Sequence, residues 1–219
     1  SALPDEAEGM SRGRGILEKW RRTAVIAFGI LLAGALAVLC VTGRITREVV
    51  SESGVAYEQK VDSVAYGYRL EQDFMPQYEY LDSVKVHVDA SGCSREQGEL
   101  QFGILDASGE QVFSGAVPIA ELPQYGWVEA SVHTRLAPEQ VYTLILESVG
   151  CADNGPKISF VDARLAASAE QQAFHLVYAG MDVEHSSLQA SFVYAVPIEW
   201  YEYLTYYAFG LLLLVMVIS

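Results

Sequence analysis

Two kinds of hydrophobic pattern divide this chain. From Thr23 to Gly43 it reads TAVIAFGILLAGALAVLCVTG, without a single charge. At ~1.5 Å of rise per residue, a helix of that length crosses a ~30 Å hydrocarbon core. A second apolar run begins near Leu204 and continues through Phe209-Gly210 and Leu211-Leu212-Leu213-Leu214 to Ser219. It is a little short for a span and still apolar where it stops, so it reads as the start of a second membrane helix in a longer multi-span protein. A tail anchor or an intramembrane terminus is the alternative. For the first run the alternative is a signal peptide, with Ala35-Leu36-Ala37 as a cleavage motif. Signal h-regions are shorter, about 7–15 residues, and the Arg44 and Arg47 that follow suit an uncleaved anchor.

Between the runs the period changes to two. Val84, Val86 and Val88 alternate with Lys85 and His87, and Leu100, Phe102 and Ile104 repeat the pattern. The turn Asp106-Ala107-Ser108-Gly109 leads into Gln111-Val112-Phe113. Trp127 to Val132, Tyr142-Leu144-Leu146, Ile158-Phe160, Phe174-Leu176-Tyr178 and Leu188 to Val196 follow. Short alternating runs separated by Gly, Pro, Asp and Ser predict an all-β antiparallel sandwich, jelly-roll-like, of about nine strands, flanked by transmembrane α-helices. The predicted layout is a cytoplasmic segment at 1–22, a transmembrane helix at 23–43 and a connector at 44–64. The sandwich follows at 65–198, then an aromatic belt and the start of a second helix at 199–219.

Charge adds a direction. Arg12, Arg14, Lys19, Arg21 and Arg22 precede the first span, and only Arg44 and Arg47 follow it closely. The excess of Lys and Arg marks the cytoplasmic side, so the N-terminus is expected inside and the β domain outside, in a bacterial cytoplasmic membrane. Trp20 stands at the inner boundary. Trp200, Tyr201, Tyr203, Tyr206 and Tyr207 form the belt at the outer one. Residues 49–199 hold 22 Asp and Glu against 7 Lys and Arg, a net charge of −15. Such a surface repels nucleic acid and leaves neutral sugars, basic partners or divalent cations as ligands. In lipid, the small residues Gly29, Ala33 and Ala37 on one helix face permit close packing against later helices of the protein or a partner subunit.

Cys93 and Cys151 are the two cysteines between the apolar runs, both in predicted loops, and Cys40 lies in the first span. An oxidising exterior and an even count predict a Cys93–Cys151 disulfide, worth about 3–5 kcal/mol if unstrained.

The strand order carries a resemblance. Leu-Asp-Ser-Val-Lys-Val-His-Val (81–88), Gly-Glu-Leu-Gln-Phe-Gly-Ile-Leu-Asp (98–106) and Val-Tyr-Thr-Leu-Ile-Leu-Glu-Ser (141–148) resemble the jelly rolls of the carbohydrate-binding-module and galactose-binding-like group. They are most similar to versions inserted after the first helix of bacterial multi-pass envelope proteins. The opening Gln-x-Phe strand of those versions is matched by Gln72-Asp73-Phe74, and the similarity covers about residues 65–165. It is a pattern of core residues, so it implies a fold more than a ligand.

No catalytic residues emerge. His87, His133, His175 and His185 form no zinc-spaced pair, and there is no Cys-x-x-Cys, nucleophile elbow, phosphate loop or dinucleotide fingerprint. No cofactor is expected; calcium is the exception to test, through Asp153 and the Asn154 carbonyl in a turn, with Asp182, Glu184 and His185 a further cluster. For sugar, exposed rings would stack on pyranose faces while carboxylates accept from hydroxyls. Tyr125, Trp127, Tyr66, Tyr68 and Asp73 are the ligand-binding candidates, with Tyr78, Tyr80 and Glu79 close in sequence. The alternative is that Trp127 is core and the tyrosines pack over the membrane-facing end of the domain. The function expected is a non-catalytic exoplasmic module that binds glycan or positions a partner in cell-envelope polysaccharide handling. The near-absence of Asn and the preference for Arg over Lys suggest a GC-rich bacterial source. Two rival readings are an assembly subunit of a membrane complex, and the N-terminal part of a membrane glycosyltransferase or polymer ligase with its catalytic residues beyond residue 219.

Overall fold

The computed structural model describes residues 5–42, 45–52, 59–60, 68–93, 98–150, 155–162 and 176–218. Helix α1 runs Asp5–Val41 and helix α2 Trp200–Ile218. Between them come β1 (Thr46–Glu52), β2 (Gln59–Lys60), β3 (Arg69–Phe74), β4 (Tyr80–Asp89), β5 (Glu99–Leu105) and β6 (Gln111–Pro118). The remaining strands are β7 (Tyr125–Arg135), β8 (Tyr142–Val149), β9 (Lys157–Asp162), β10 (Leu176–Tyr178), β11 (Met181–Asp182), β12 (Ser186–Leu188) and β13 (Ala190–Pro197). Two units separate: residues 1–46 with 197–219, and residues 47–196.

The second unit is an antiparallel sandwich. One sheet has seven strands along the path β1-β13-β4-β9-β12, with β7 on the other edge of β4 and β2 on β9. The other has six, ordered β11-β10-β3-β8-β5-β6. The described residues hold thirteen strands where about nine were expected, and two of the additional ones, β1 and β2, fall in the stretch assigned as a connector. β1 was hidden because it is an outer strand with mostly exposed residues, so its sequence TREVVSE carries no buried alternation.

Where strands are half-buried the alternation is clean. β8 buries Tyr142, Leu144, Leu146 and Ser148, β3 buries Leu70, Gln72 and Phe74, and β7 buries Val128, Ala130 and Val132. These side chains and those of β4, β5 and β13 form one apolar core between the sheets. A fully buried Leu or Phe contributes about 1.5–3 kcal/mol, so this layer supplies the main drive to fold. In β4 the phase shifts: Leu81 is buried, and so are Val84, Val86 and Val88. Against β13, Leu81 and Ser83 face the consecutive residues Tyr194 and Val193, so Asp82 is an extra residue in β4 that returns both halves of the strand to the core, while on the β7 side Val132 and His133 together face Asp82. Opposite it, His133 adopts a left-handed φ of 49° and pairs with Asp82 at 2.9 Å.

Next to β4 the seven-stranded sheet forks. β4 and β9 pair only at Val88↔Ile158 and Asp89↔Lys157. Beyond that point β12 follows β9 while β13 follows β4, with Gln189 between them at the apex. Its carbonyl accepts from the His87 N–H at 3.0 Å, and its own N–H donates to the Ser159 carbonyl at 2.9 Å.

In the first unit α1 and α2 are antiparallel neighbours. The Ile198 N–H donates to the Ile45 carbonyl at 3.1 Å, joining the end of one to the start of the other. Lys19–Leu39 of α1 is apolar, almost wholly exposed and long enough to cross a membrane, as an anchor or a signal sequence would be. Of its small residues Gly29 is buried, Ala33 half-buried and Ala37 exposed.

Candidate ligand-binding face

The outer face of the seven-stranded sheet gathers the side chains best placed to meet a ligand. With Val84, Val86 and Val88 turned inward, period two sends Ser83, Lys85, His87 and Asp89 outward. β7 runs antiparallel to β4 and places Tyr125 opposite Asp89, Trp127 opposite His87, Glu129 opposite Lys85 and Ser131 opposite Ser83. Directly opposed residues lie about 4.5–5.5 Å apart at Cβ, so two tyrosine- and tryptophan-bearing positions border one histidine.

The ring geometry follows from that register. The His87 ring lies edge-on to Tyr125 at 4.6 Å between centroids and to Trp127 at 5.4 Å. His87 itself is buried, and its Nδ1 shares a hydrogen bond with Ser159 Oγ at 2.9 Å. Ser159 is fully buried, so its hydroxyl acts as an orienting group for the imidazole. Tyr125 and Trp127 are 49% and 46% exposed, which leaves ring surface open to solvent. Edge-to-face packing against a fixed imidazole holds both rings without covering them.

A charged pair adjoins the rings. Glu129 accepts from Ser83 Oγ at 2.5 Å and pairs with Lys85 Nζ at 3.4 Å. The Ser83 hydroxyl first, and then the Lys85 ammonium, hold the Glu129 carboxyl below its usual range despite partial burial. An ionised carboxylate thus stands on β7 beside Trp127, in a position to accept from hydroxyl donors.

The other candidates lie elsewhere. Tyr68 stacks on Tyr178 at 5.9 Å, at the β3–β10 side of the six-stranded sheet. Asp73, on the outer side of β3, accepts from Thr143 Oγ1 at 2.7 Å. Tyr78 packs against the core, edge-on to Tyr194 at 5.7 Å. Tyr66, Asp153, Asn154 and His175 lie outside the described residues, as does Cys151, and with it the expected bridge to Cys93. Among the described residues no three His, Cys, Asp or Glu side chains converge to hold a metal, the Asp182–His185 segment included. His87 and Ser159 carried no site signal in the sequence. His87 could be placed on the outer face from the valine alternation, but its proximity to Trp127 and Ser159 depends on pairing across β4, β7 and β9.

Fold and face together define a class: an antiparallel β-sandwich of two sheets that follows an apolar N-terminal helix, with an aromatic pair on one outer face. Comparison with protein-family models finds no match, and comparison with curated proteins finds no significant relative.

Proposed function

We propose that this chain is a membrane-anchored, non-catalytic recognition module that binds neutral saccharide on the outer β4–β7 face. The observation that carries the reading is the pair of half-exposed rings, Tyr125 and Trp127, held side by side by the buried His87. Pyranose rings present apolar C–H faces that stack on aromatic surfaces, and the Glu129 carboxylate beside them accepts from sugar hydroxyls. The net charge of −15 over residues 49–199 selects against anionic polymers. The sandwich architecture also agrees with the resemblance to carbohydrate-binding jelly rolls, and the apolar helix with work at a bacterial cell envelope. The test is a glycan array, followed by titration calorimetry, on the full chain in detergent micelles. Binding of neutral oligosaccharides that Trp127→Ala removes supports the reading; an array blank with and without calcium sinks it.

A further inference from the structure

The helices of the first unit make a defined contact. The Tyr207 hydroxyl donates to the Gly29 carbonyl at 3.5 Å, and a Cβ at Gly29 would lie 3.8 Å from Leu211 Cδ2. Gly29 is the middle residue of Lys19–Leu39, so this contact lies about 15 Å from either end of that stretch. On α1 the residues turned from solvent are Val25, Gly29, Leu32, Ala33, Leu36 and Leu39, spaced at three and four. On α2 they include Tyr203, Tyr207, Gly210 and Leu211, with the same spacing. The two stripes face each other, as ridge-and-groove packing requires.

Outside the stripes, large apolar side chains among the described residues face outward. Ile26, Phe28, Ile30, Leu31 and Val38 of α1 are 52–72% exposed, and Leu204, Phe209, Leu212, Val215 and Met216 of α2 are 54–67% exposed. At about 100° per residue these positions cover roughly half the circumference of each helix, far more than the narrow seam one partner helix needs. No charged residue occurs from Thr23 to Gly43 or from Tyr203 to Ile218. α2 has 19 residues, so its length is ~28 Å, close to the ~30 Å hydrocarbon thickness. Trp20 precedes the apolar part of α1, and Trp200 and Tyr201 open α2, so an aromatic residue marks each end of the pair.

We infer that α1 and α2 are a two-span antiparallel hairpin whose exposed surface is covered by lipid hydrocarbon, locked near mid-membrane by the Tyr207 hydroxyl on the Gly29 carbonyl. The second span begins at Trp200, and Tyr207 moves from the outer aromatic belt into the span. A phenol at that depth has no water to bond, and a helix carbonyl with a spare lone pair is the available acceptor. The inference is independent of what the sandwich binds.

Cysteine cross-linking in lipid vesicles tests it on the full chain with its native cysteines replaced. Oxidation joins Gly29→Cys to Leu211→Cys and leaves Gly34→Cys with Leu211→Cys unjoined, since Gly34 has nothing within 4 Å. Equal yields from the two pairs would overturn the packing. In intact cells, an impermeant maleimide labels Ser11→Cys and Ile218→Cys only after permeabilisation, while Glu139→Cys labels without it. Labelling of Ile218→Cys from the Glu139 side, or its failure to label after permeabilisation, would overturn the second crossing. The unmodified chain provides a check free of substitution: it stays with membranes in alkaline carbonate, and its release would refute the lipid contact.

Discussion

The side-chain Oε1 of Gln72, on β3 of one sheet, accepts the backbone N–H of Leu188, on β12 of the other, at 3.0 Å. Gln72 is 4% exposed, and its Nε2 donates to the Asp73 carbonyl at 2.9 Å. A polar side chain thus passes through the apolar layer and ties the two sheets at one point. Gln72→Met keeps the volume and removes the acceptor. It is expected to lower unfolding stability by about 1–3 kcal/mol in urea titration, the cost of taking a partner from a buried donor. Gln101→Met on the outer face of β5 should change stability by less than about 0.5 kcal/mol.

The aromatic pair predicts a graded response in binding. Trp127→Ala should weaken saccharide affinity at least about tenfold, equivalent to about 1.4 kcal/mol. Tyr125→Ala should do the same, while Tyr68→Ala, at the other sheet, should leave affinity unchanged. His87→Ala should weaken binding without touching ligand, because it frees both rings. Calorimetry on the four variants reads the pattern, and a loss confined to Tyr68→Ala would move the site to the other sheet.

Tyr194 gives a pH dependence. Its ring is 1% exposed, and burial pushes its pKa up to about 12, against a small opposing effect of the Gln77 N–H donating to its oxygen at 3.4 Å. In the unfolded chain the phenol ionises near its ordinary value of ~10. The folded state therefore holds its proton longer. Its contribution is intact below pH ~10 and is lost as pH rises from there toward ~12, by about 2–3 kcal/mol at most. Tyr194→Phe should flatten this part of the stability profile, measured by urea unfolding between pH 8 and 11.5.

Gly150 closes the turn after β8 with φ at +82°, and a Cβ there would lie 3.0 Å from the Cα of Gly98. Gly150→Ala meets both a disfavoured backbone conformation and a backbone neighbour that must move. It should cost about 1–3 kcal/mol by thermal or chemical unfolding. Gly92→Ala, with open space around it, is the matched control.

The order of apolar and polar residues establishes the classes of element. A long uncharged run gives a helix suited to lipid, and the alternation in Val84-Val86-Val88 or Tyr142-Leu144-Leu146 gives strands with one buried face, because a pleated strand turns successive side chains to opposite sides. It also supplied Tyr125 and Trp127 as candidates. Tertiary structure decided what these elements do together. β1 is an exposed outer strand whose partners, not its composition, make it part of a sheet. The phase of β4 depends on the extra residue at Asp82, which shows only as a slip against β13. His87 meets Ser159 from 72 residues away, and Tyr207 meets Gly29 from 178. Such contacts are set by register and helix packing between distant segments, whereas periodicity records only which side of its own element a residue occupies. That is why the rings could be nominated from the chain, while the imidazole that holds them and the lock between the helices required the fold.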